Sequence, residues 1–341
     1  MRQLMYQYVP DTSDNWKIDM SEVEEIYFHN PFGIGDVFVA RTFVKEICKQ
    51  LKDKKIYYCH IWGTHLFEDI PNLEEISVID FESKFKADSP FDRSCLINHY
   101  SSNPSQFSAM KTATLNKVKS LHINTWYNTM AEHYASYDGQ ACFPVLVHNF
   151  QSIFNVLKIN EIENPSDFLP SVDYSYYDQD KKVAKSIQNI KSKFKKLVLV
   201  CNELIEKTPI VDNFNINQTI QEHVTNNPDT AFIFTREDFP TANNVFFTDN
   251  ILRGKPRPDL IYMGLIAEYC DVIIGRMSGP TTHTLTKVNL VDKPKQYIVT
   301  TNFKYVSEWA VERDYSKLSH VTPFNMEDWK SLLSKYFQGI I

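Results

Sequence analysis

The sequence predicts an α/β protein of two lobes facing a central cleft. Three observations predict it. The chain has 341 residues, more than the roughly 100–200 usual for one domain. Strand-like apolar runs alternate with helix-spaced segments on both sides of a two-proline stretch at 164–170. In each half, a glycine-containing loop follows a strand-like run.

The first strand-like run is 26–30, followed by the loop Pro31-Phe32-Gly33-Ile34-Gly35. Apolar residues at Val37, Ala40, Val44, Ile47, Cys48 and Leu51 then keep helical spacing, and 55–61 reads as the next strand. Strand, loop, helix and strand make a βαβ unit, whose crossover sets the two strands parallel. This makes the lobe Rossmann-like. Shorter strand candidates are 76–80, 94–98 and 120–123, and 126–157 reads as mostly helical with many aromatics.

After the linker the alternation restarts. A helix is expected over 180–194, a doubly buried strand at 197–201, a helix at 216–225, and strands at 230–234 and 244–247. Asp259 begins a helix running to Cys270, 271–275 is a second buried-type strand, and 296–299 is the last strand. An amphipathic helix capped by Asn325 closes the chain. The expected organisation is a first lobe at 1–168, a second at 169–325, and a C-terminal helix at 326–341.

Composition narrows the function classes. Hydrophobic residues make up 43% and charged residues 23%, as in ordinary globular proteins. The net charge of −6 argues against general nucleic-acid binding, which favours a basic surface. No segment reaches the roughly 20 apolar residues that span a bilayer, so at most transient membrane contact is expected. The six cysteines form no Cys-x-x-Cys pair, which points to reduced core thiols and a cytoplasmic protein.

Two loops carry candidate chemistry. In the first, Gly33 and Gly35 let backbone approach a ligand, and a helix N-terminus offers N–H groups to an anion. A dinucleotide fingerprint is missing, because Phe38 stands where a third glycine belongs and Ile61-Trp62-Gly63 where an acid belongs. No Gly-Lys-Ser/Thr follows either, which excludes a Walker loop. Asp36 reads in two ways: as a plain helix cap, or as a carboxylate at the sheet mouth able to take a proton from an attacking hydroxyl.

The second loop is Gly275-Arg276-Met277-Ser278-Gly279-Pro280-Thr281-Thr282-His283. Glycine, hydroxyls and a permanent cation at a strand's carboxyl end suit a phosphate; a capped turn with a surface arginine is the plain alternative. His283 by itself reads as structural. A third loop, opening at Asn202 and holding Lys207 and Thr208, reads by composition as solvated, although Lys207 and Thr208 are within reach of a diphosphate. Asp178-Gln179-Asp180 has the spacing of a metal-binding Asp-x-Asp, but Tyr176-Tyr177 before it and Lys181-Lys182 after it favour helix capping.

In their order along the chain these pieces resemble the GT-B glycosyltransferases, especially the bacterial heptosyltransferase-like group. Gly33-Ile34-Gly35-Asp36 looks like that group's glycine loop with its proposed base. The segment 72–80 is similar to the run into its third strand. Lys207-Thr208 sits where it has a donor-phosphate lysine, and 270–280 resembles its strand followed by an Asp-Ser/Thr-Gly-Pro loop. Met277 replaces the acid of that loop, and an extra residue separates Pro280 from His283. The resemblance implies a metal-independent glycosyltransferase with Asp36 as general base, and a C-terminal helix that packs back on the first lobe. It would take a nucleotide-sugar co-substrate and a glycan or glycoconjugate acceptor, with no further cofactor. Gly33, Gly35, Asn202, Lys207, Thr208, Arg276, Ser278, Gly279, Pro280, Thr281 and Thr282 would be binding residues. A sugar-nucleotide epimerase or hydrolase, and a nucleotide-binding protein without the chemistry, remain open alternatives.

Overall fold

The computed structural model describes residues 19–30, 34–60, 65–77, 110–115, 118–125, 154, 157–160, 162, 167, 169–177, 180–203, 215–252, 259–276, 278–300 and 326–339. The chain divides into two compact units, Met1–Ser171 and Val172–Ile341. Each has its own five-stranded sheet, so the predicted α/β class is what the structure shows.

Among the described residues the first unit contains β1 (Glu25–Asn30), α1 (Ile34–Val39), α2 (Arg41–Gln50), β2 (Lys55–His60), β3 (Leu73–Ser77), β4 (Met110–Leu115) and β5 (Val118–Asn124). The sheet order is β3-β2-β1-β5-β4. β1 is central and parallel to both β2 and β5, with Ile26 level with Ile56 and Leu121. β4 runs antiparallel to β5. The single helix expected from the 37–51 spacing is two, broken at the buried Ala40. Val37, Phe38, Phe43, Val44 and Ile47 from these helices are buried with Ile26, Tyr27 and Phe28 of β1. β3 starts three residues before the 76–80 reading, of which 78–80 lie outside the described residues, and β4 was not anticipated. The candidates at 94–98 and almost all of 126–157 lie outside the described residues.

An ion pair deep in this unit ties several segments together. The Arg41 guanidinium is bonded to the Asp69 carboxylate with both side chains fully buried. It also donates to the carbonyls of Leu66 and, at 3.0 Å, Ser171. Such a pair is held by its surrounding hydrogen bonds, since desolvation alone costs several kcal/mol per ion.

The second unit contains α3 (Asp180–Lys191), β6 (Lys196–Cys201), α4 (Ile216–Asn226), β7 (Thr230–Phe234), β8 (Val245–Phe247), α5 (Tyr262–Tyr269), β9 (Val272–Arg276), α6 (Gly279–Thr284), β10 (Gln296–Thr300) and α7 (Met326–Phe337). Its order is β10-β9-β6-β7-β8, with every neighbouring pair parallel. β6 is buried from Leu197 to Cys201, and β7 and β9 throughout, as strands covered on both faces require. α3 ends three residues before the expected 194. A 3₁₀ turn, Asp259–Ile261, precedes α5 within the helix expected from Asp259. A π-helical stretch, Val288–Asp292, follows α6 and had no counterpart in the sequence reading.

The C-terminal helix packs into the second unit. Trp329, Leu333 and Tyr336 are buried in the second unit's core with Val198, Phe232 and Ile298, and Trp329 Nε1 donates to the Ile298 carbonyl at 2.9 Å. Its apolar stripe is used to close that core. The described cysteines, Cys48, Cys59, Cys201 and Cys270, are buried free thiols. Burial pushes Cys48 and Cys201 up to about 12. Among the described residues no helix is long and apolar enough to cross a membrane.

Candidate functional site

In the second sheet the chain moves from β6 outward through β7 to β8, then returns to place β9 and β10 on the other side. The strand order therefore reverses between β6 and β9. In open α/β sheets, ligands bind outside the carboxyl ends of strands at such a switch point. The residues there are Asn202 and Glu203 after β6, and Arg276 and Ser278 at the end of β9.

β6 and β9 come unusually close at this edge. Gly275 is level with Cys201, has a φ of +157°, and a Cβ on it would lie 2.5 Å from the Cys201 carbonyl oxygen. Only glycine fits both the conformation and the space. The next residue, Arg276, is fully buried. Burial holds its guanidinium below the ordinary value, while the charge of Glu203 acts in the opposite direction. A buried cation thus stands at the sheet mouth with a carboxylate in its field.

Ser278 caps the start of α6 from an extended conformation, with Pro280 in the first turn, where proline's missing N–H costs nothing. The Ser278 hydroxyl is buried and has no hydrogen-bond partner among the described residues. The other hydroxyls of α6 are committed to the protein. Thr281 Oγ1 donates to the Arg276 carbonyl at 2.6 Å, Thr282 Oγ1 to the Ser278 carbonyl at 2.9 Å, and Thr284 Oγ1 to the Thr281 carbonyl at 2.7 Å. His283 is fully buried, with Nδ1 2.8 Å from the Gly279 carbonyl oxygen. Thr281 and Thr282 therefore brace the turn that presents Arg276 and Ser278.

Asn202 is also at this edge, but all four hydrogen-bonding positions of its side chain are taken by protein. Its Nδ2 donates to Asn217 Oδ1 (3.0 Å) and Asp238 Oδ1 (2.6 Å). Its Oδ1 accepts from Thr235 Oγ1 (3.1 Å) and the Arg236 backbone N–H (2.9 Å). Asn217 Nδ2 also donates to Asp238 Oδ1, at 2.9 Å. The network fixes Asp238 four residues beyond β7, where doubly wound folds place an acid for a ribose hydroxyl. The sequence reading missed Asp238. The available signal was an acid shortly after the second strand of the lobe, the same rule that was applied to the first lobe.

The first sheet also reverses direction, between β1 and β5. The carboxyl end of β1 leads into α1, which contains Gly35 and Asp36, so the backbone of the candidate base lies at this switch point. Gly33, Lys207, Thr208 and Met277 lie outside the described residues. In the first sheet Glu75, midway along β3, reaches His60 at the end of β2, with Oε1 2.9 Å from His60 Nε2. Glu75 also accepts the backbone N–H groups of His65, Leu66 and Phe67 at 2.9–3.1 Å. Burial pushes its carboxyl up, but His60 and those amides outweigh it and hold the group below its ordinary value. This carboxylate clasps the chain that follows β2. Among the described residues no group of three His, Cys, Asp or Glu side chains is placed to hold a metal ion.

Comparison with known proteins adds only distant likenesses. No family model matches the chain, and no curated protein matches it. Among solved structures it is similar to the glycosyl transferase family 9 protein from Veillonella parvula, with TM-score 0.47 and 12% identity over 94% of this chain and 91% of that one. It is similar to the E. coli heptosyltransferase WaaC solved with ADP, with TM-score 0.44 and 10% identity over 81% and 86%. Arabidopsis thaliana FUT1, solved as a mutant with GDP, follows at TM-score 0.33 and 10% identity over 81% and 71%.

Proposed function

We propose that the protein is a glycosyltransferase moving a sugar from a nucleotide-sugar to a hydroxyl of a glycan or glycoconjugate acceptor. The observation that carries this reading is the fully buried Arg276 at the β6/β9 switch point, next to a buried Ser278 hydroxyl without a partner among the described residues. Keeping a cation out of water costs several kcal/mol. An anionic ligand drawn to that buried charge explains the cost better than a turn would.

In this reading the donor's diphosphate lies against Arg276, the Ser278 hydroxyl and the backbone of Gly279, with Lys207 and Thr208 as further contacts. Asp238, held by Asn202 and Asn217, takes the ribose. The acceptor oxygen attacks the anomeric carbon as its proton passes to Asp36. The bond from that carbon to the diphosphate breaks, and the nucleoside diphosphate leaves with the electron pair. Arg276 stabilises the charge gathering on it, an electrostatic contribution that grows in a dry site.

The test is thermal stability against a panel of nucleoside diphosphates and nucleotide-sugars. A ligand at a hundred times its Kd adds roughly 2.7 kcal/mol. Stabilisation by one nucleotide family, lost in Arg276→Gln, supports the donor site. A folded protein that no member of the panel stabilises sinks the reading.

A further inference from the structure

We propose that the outer face of α3 is a docking surface for an anionic phospholipid membrane. In a chain of net charge −6, the stretch 178–196 carries lysines at 181, 182, 185, 191, 193, 195 and 196 against only Asp178 and Asp180. The structure divides these lysines into two groups. Three of the four at the end serve the fold: Lys191 Nζ donates to the Tyr269 carbonyl (3.3 Å), Lys195 pairs with Asp229 (2.6 Å), and Lys196 lies 5.0 Å from the centre of the Tyr336 ring.

The lysines at the start of α3 work against their own helix. Val183, Ile187 and Ile190 form its buried stripe, and helical geometry puts Lys181 and Lys185 opposite that stripe. Both are exposed, and neither makes an ion pair among the described residues. Lys181 stands in the first turn, after Asp180, where the helix dipole disfavours cations. Lys181 and Lys185 are a like-charged pair one turn apart, which is also unfavourable. An opposing surface of negative charge turns both costs into attraction.

Two features favour a membrane over a nucleic acid. All seven basic residues are lysines, whose flexible point charges suit disordered headgroups, whereas arginine's planar fork suits ordered phosphates. One turn ahead of α3, Tyr176 is 57% exposed, the only large hydrophobic side chain so exposed among the described residues. Tyrosine is enriched at the membrane–water interface. This surface is independent of the sugar-transfer reading and survives its failure.

Co-sedimentation of the full chain with phosphatidylcholine vesicles, with and without phosphatidylglycerol, tests the proposal at low and raised salt. Binding is expected only to the anionic vesicles and to weaken with salt. Each lysine near such a surface contributes about fivefold in partition, so K181Q/K185Q should weaken binding about twenty-five-fold and leave the melting temperature unchanged or slightly raised. The same charge change at the other unit's exposed residues, K49Q/K52Q, should alter it little. Equal binding to both vesicle types, or wild-type binding by K181Q/K185Q, overturns the proposal. So does retention on a single-stranded oligonucleotide without vesicle binding, which would assign the face to a nucleic acid.

Discussion

α1 and α6 are short helices in different units, α1 after β1 and α6 after β9. Each is six residues long and follows a strand bordering its sheet's switch point. Their buried residues are of opposite kinds. In α1 and the residue after it they are Ile34, Val37, Phe38, Val39 and Ala40; in α6 they are Pro280, Thr281, Thr282, His283 and Thr284. The first helix is held by apolar area, the second by hydrogen bonds whose geometry is set atom by atom. The difference suggests separate duties. Apolar packing can hold α1 in place without engaging a polar group of its own. The polar packing of α6 fixes a buried guanidinium and a hydroxyl where a charged ligand would sit.

The largest effect tests the duty assigned to α1. Asp36→Asn is expected to lower sugar transfer by about 10²–10⁴-fold, the usual worth of a general base, while nucleotide-dependent stabilisation persists. Full activity in that variant removes Asp36 as the base and leaves α1 a packing element.

The next break compares how the two helices are held. Phe38→Ala should cost about 3–5 kcal/mol of unfolding free energy, the range for a buried phenylalanine. Thr281→Val leaves the Arg276 carbonyl without its hydroxyl donor and should cost about 1–3 kcal/mol. Chemical denaturation gives both values. A larger loss from Thr281→Val would mean that α6 is the more rigidly specified of the two.

How much of this could be read from the sequence follows the same division. β6 and β9 are uninterrupted apolar runs and were placed almost to the residue. β4 was missed because Met-Lys-Thr-Ala-Thr-Leu is short, polar and without a clear period. The break at Ala40 left no mark, since alanine continues a helix as readily as it interrupts one. Arg276 and Ser278 were legible as a charged residue and a hydroxyl beside glycine, yet their burial was not. The Asn202–Asn217–Asp238 network joins residues far apart in sequence, and periodicity carries no trace of such pairs. The C-terminal helix showed its apolar stripe, but a stripe does not say which core it meets.

Glu75 supplies a smaller, pH-dependent test at the first sheet's edge. Its carboxyl is held below the ordinary 4.5 in the folded chain, so the unfolded chain takes up its proton first as pH falls. The stabilisation is complete above about pH 5 and is lost as pH drops through the folded-state value. Glu75→Gln should therefore flatten the acid limb of a stability–pH curve while changing little at high pH beyond the weakened clasp on residues 65–67. An unchanged acid limb would place the acid sensitivity in other carboxylates.

The smallest expected change is the most discriminating. Ser278 brings a buried hydroxyl to the mouth of the second sheet without a partner among the described residues, and such a group costs about 1–3 kcal/mol where no bond forms. Ser278→Ala removes that cost, so the free protein should be as stable as wild type or slightly more so. If a phosphate oxygen normally completes the hydroxyl, the same variant loses one hydrogen bond to a charged group, about 1.5–3 kcal/mol, and nucleotide affinity falls about tenfold or more. Melting curves with and without nucleotide read both quantities from one sample. A gain in free stability together with a loss of ligand stabilisation is the signature of a side chain kept for its ligand. A loss in the free protein would mean that the hydroxyl serves the fold, as its neighbours on α6 do.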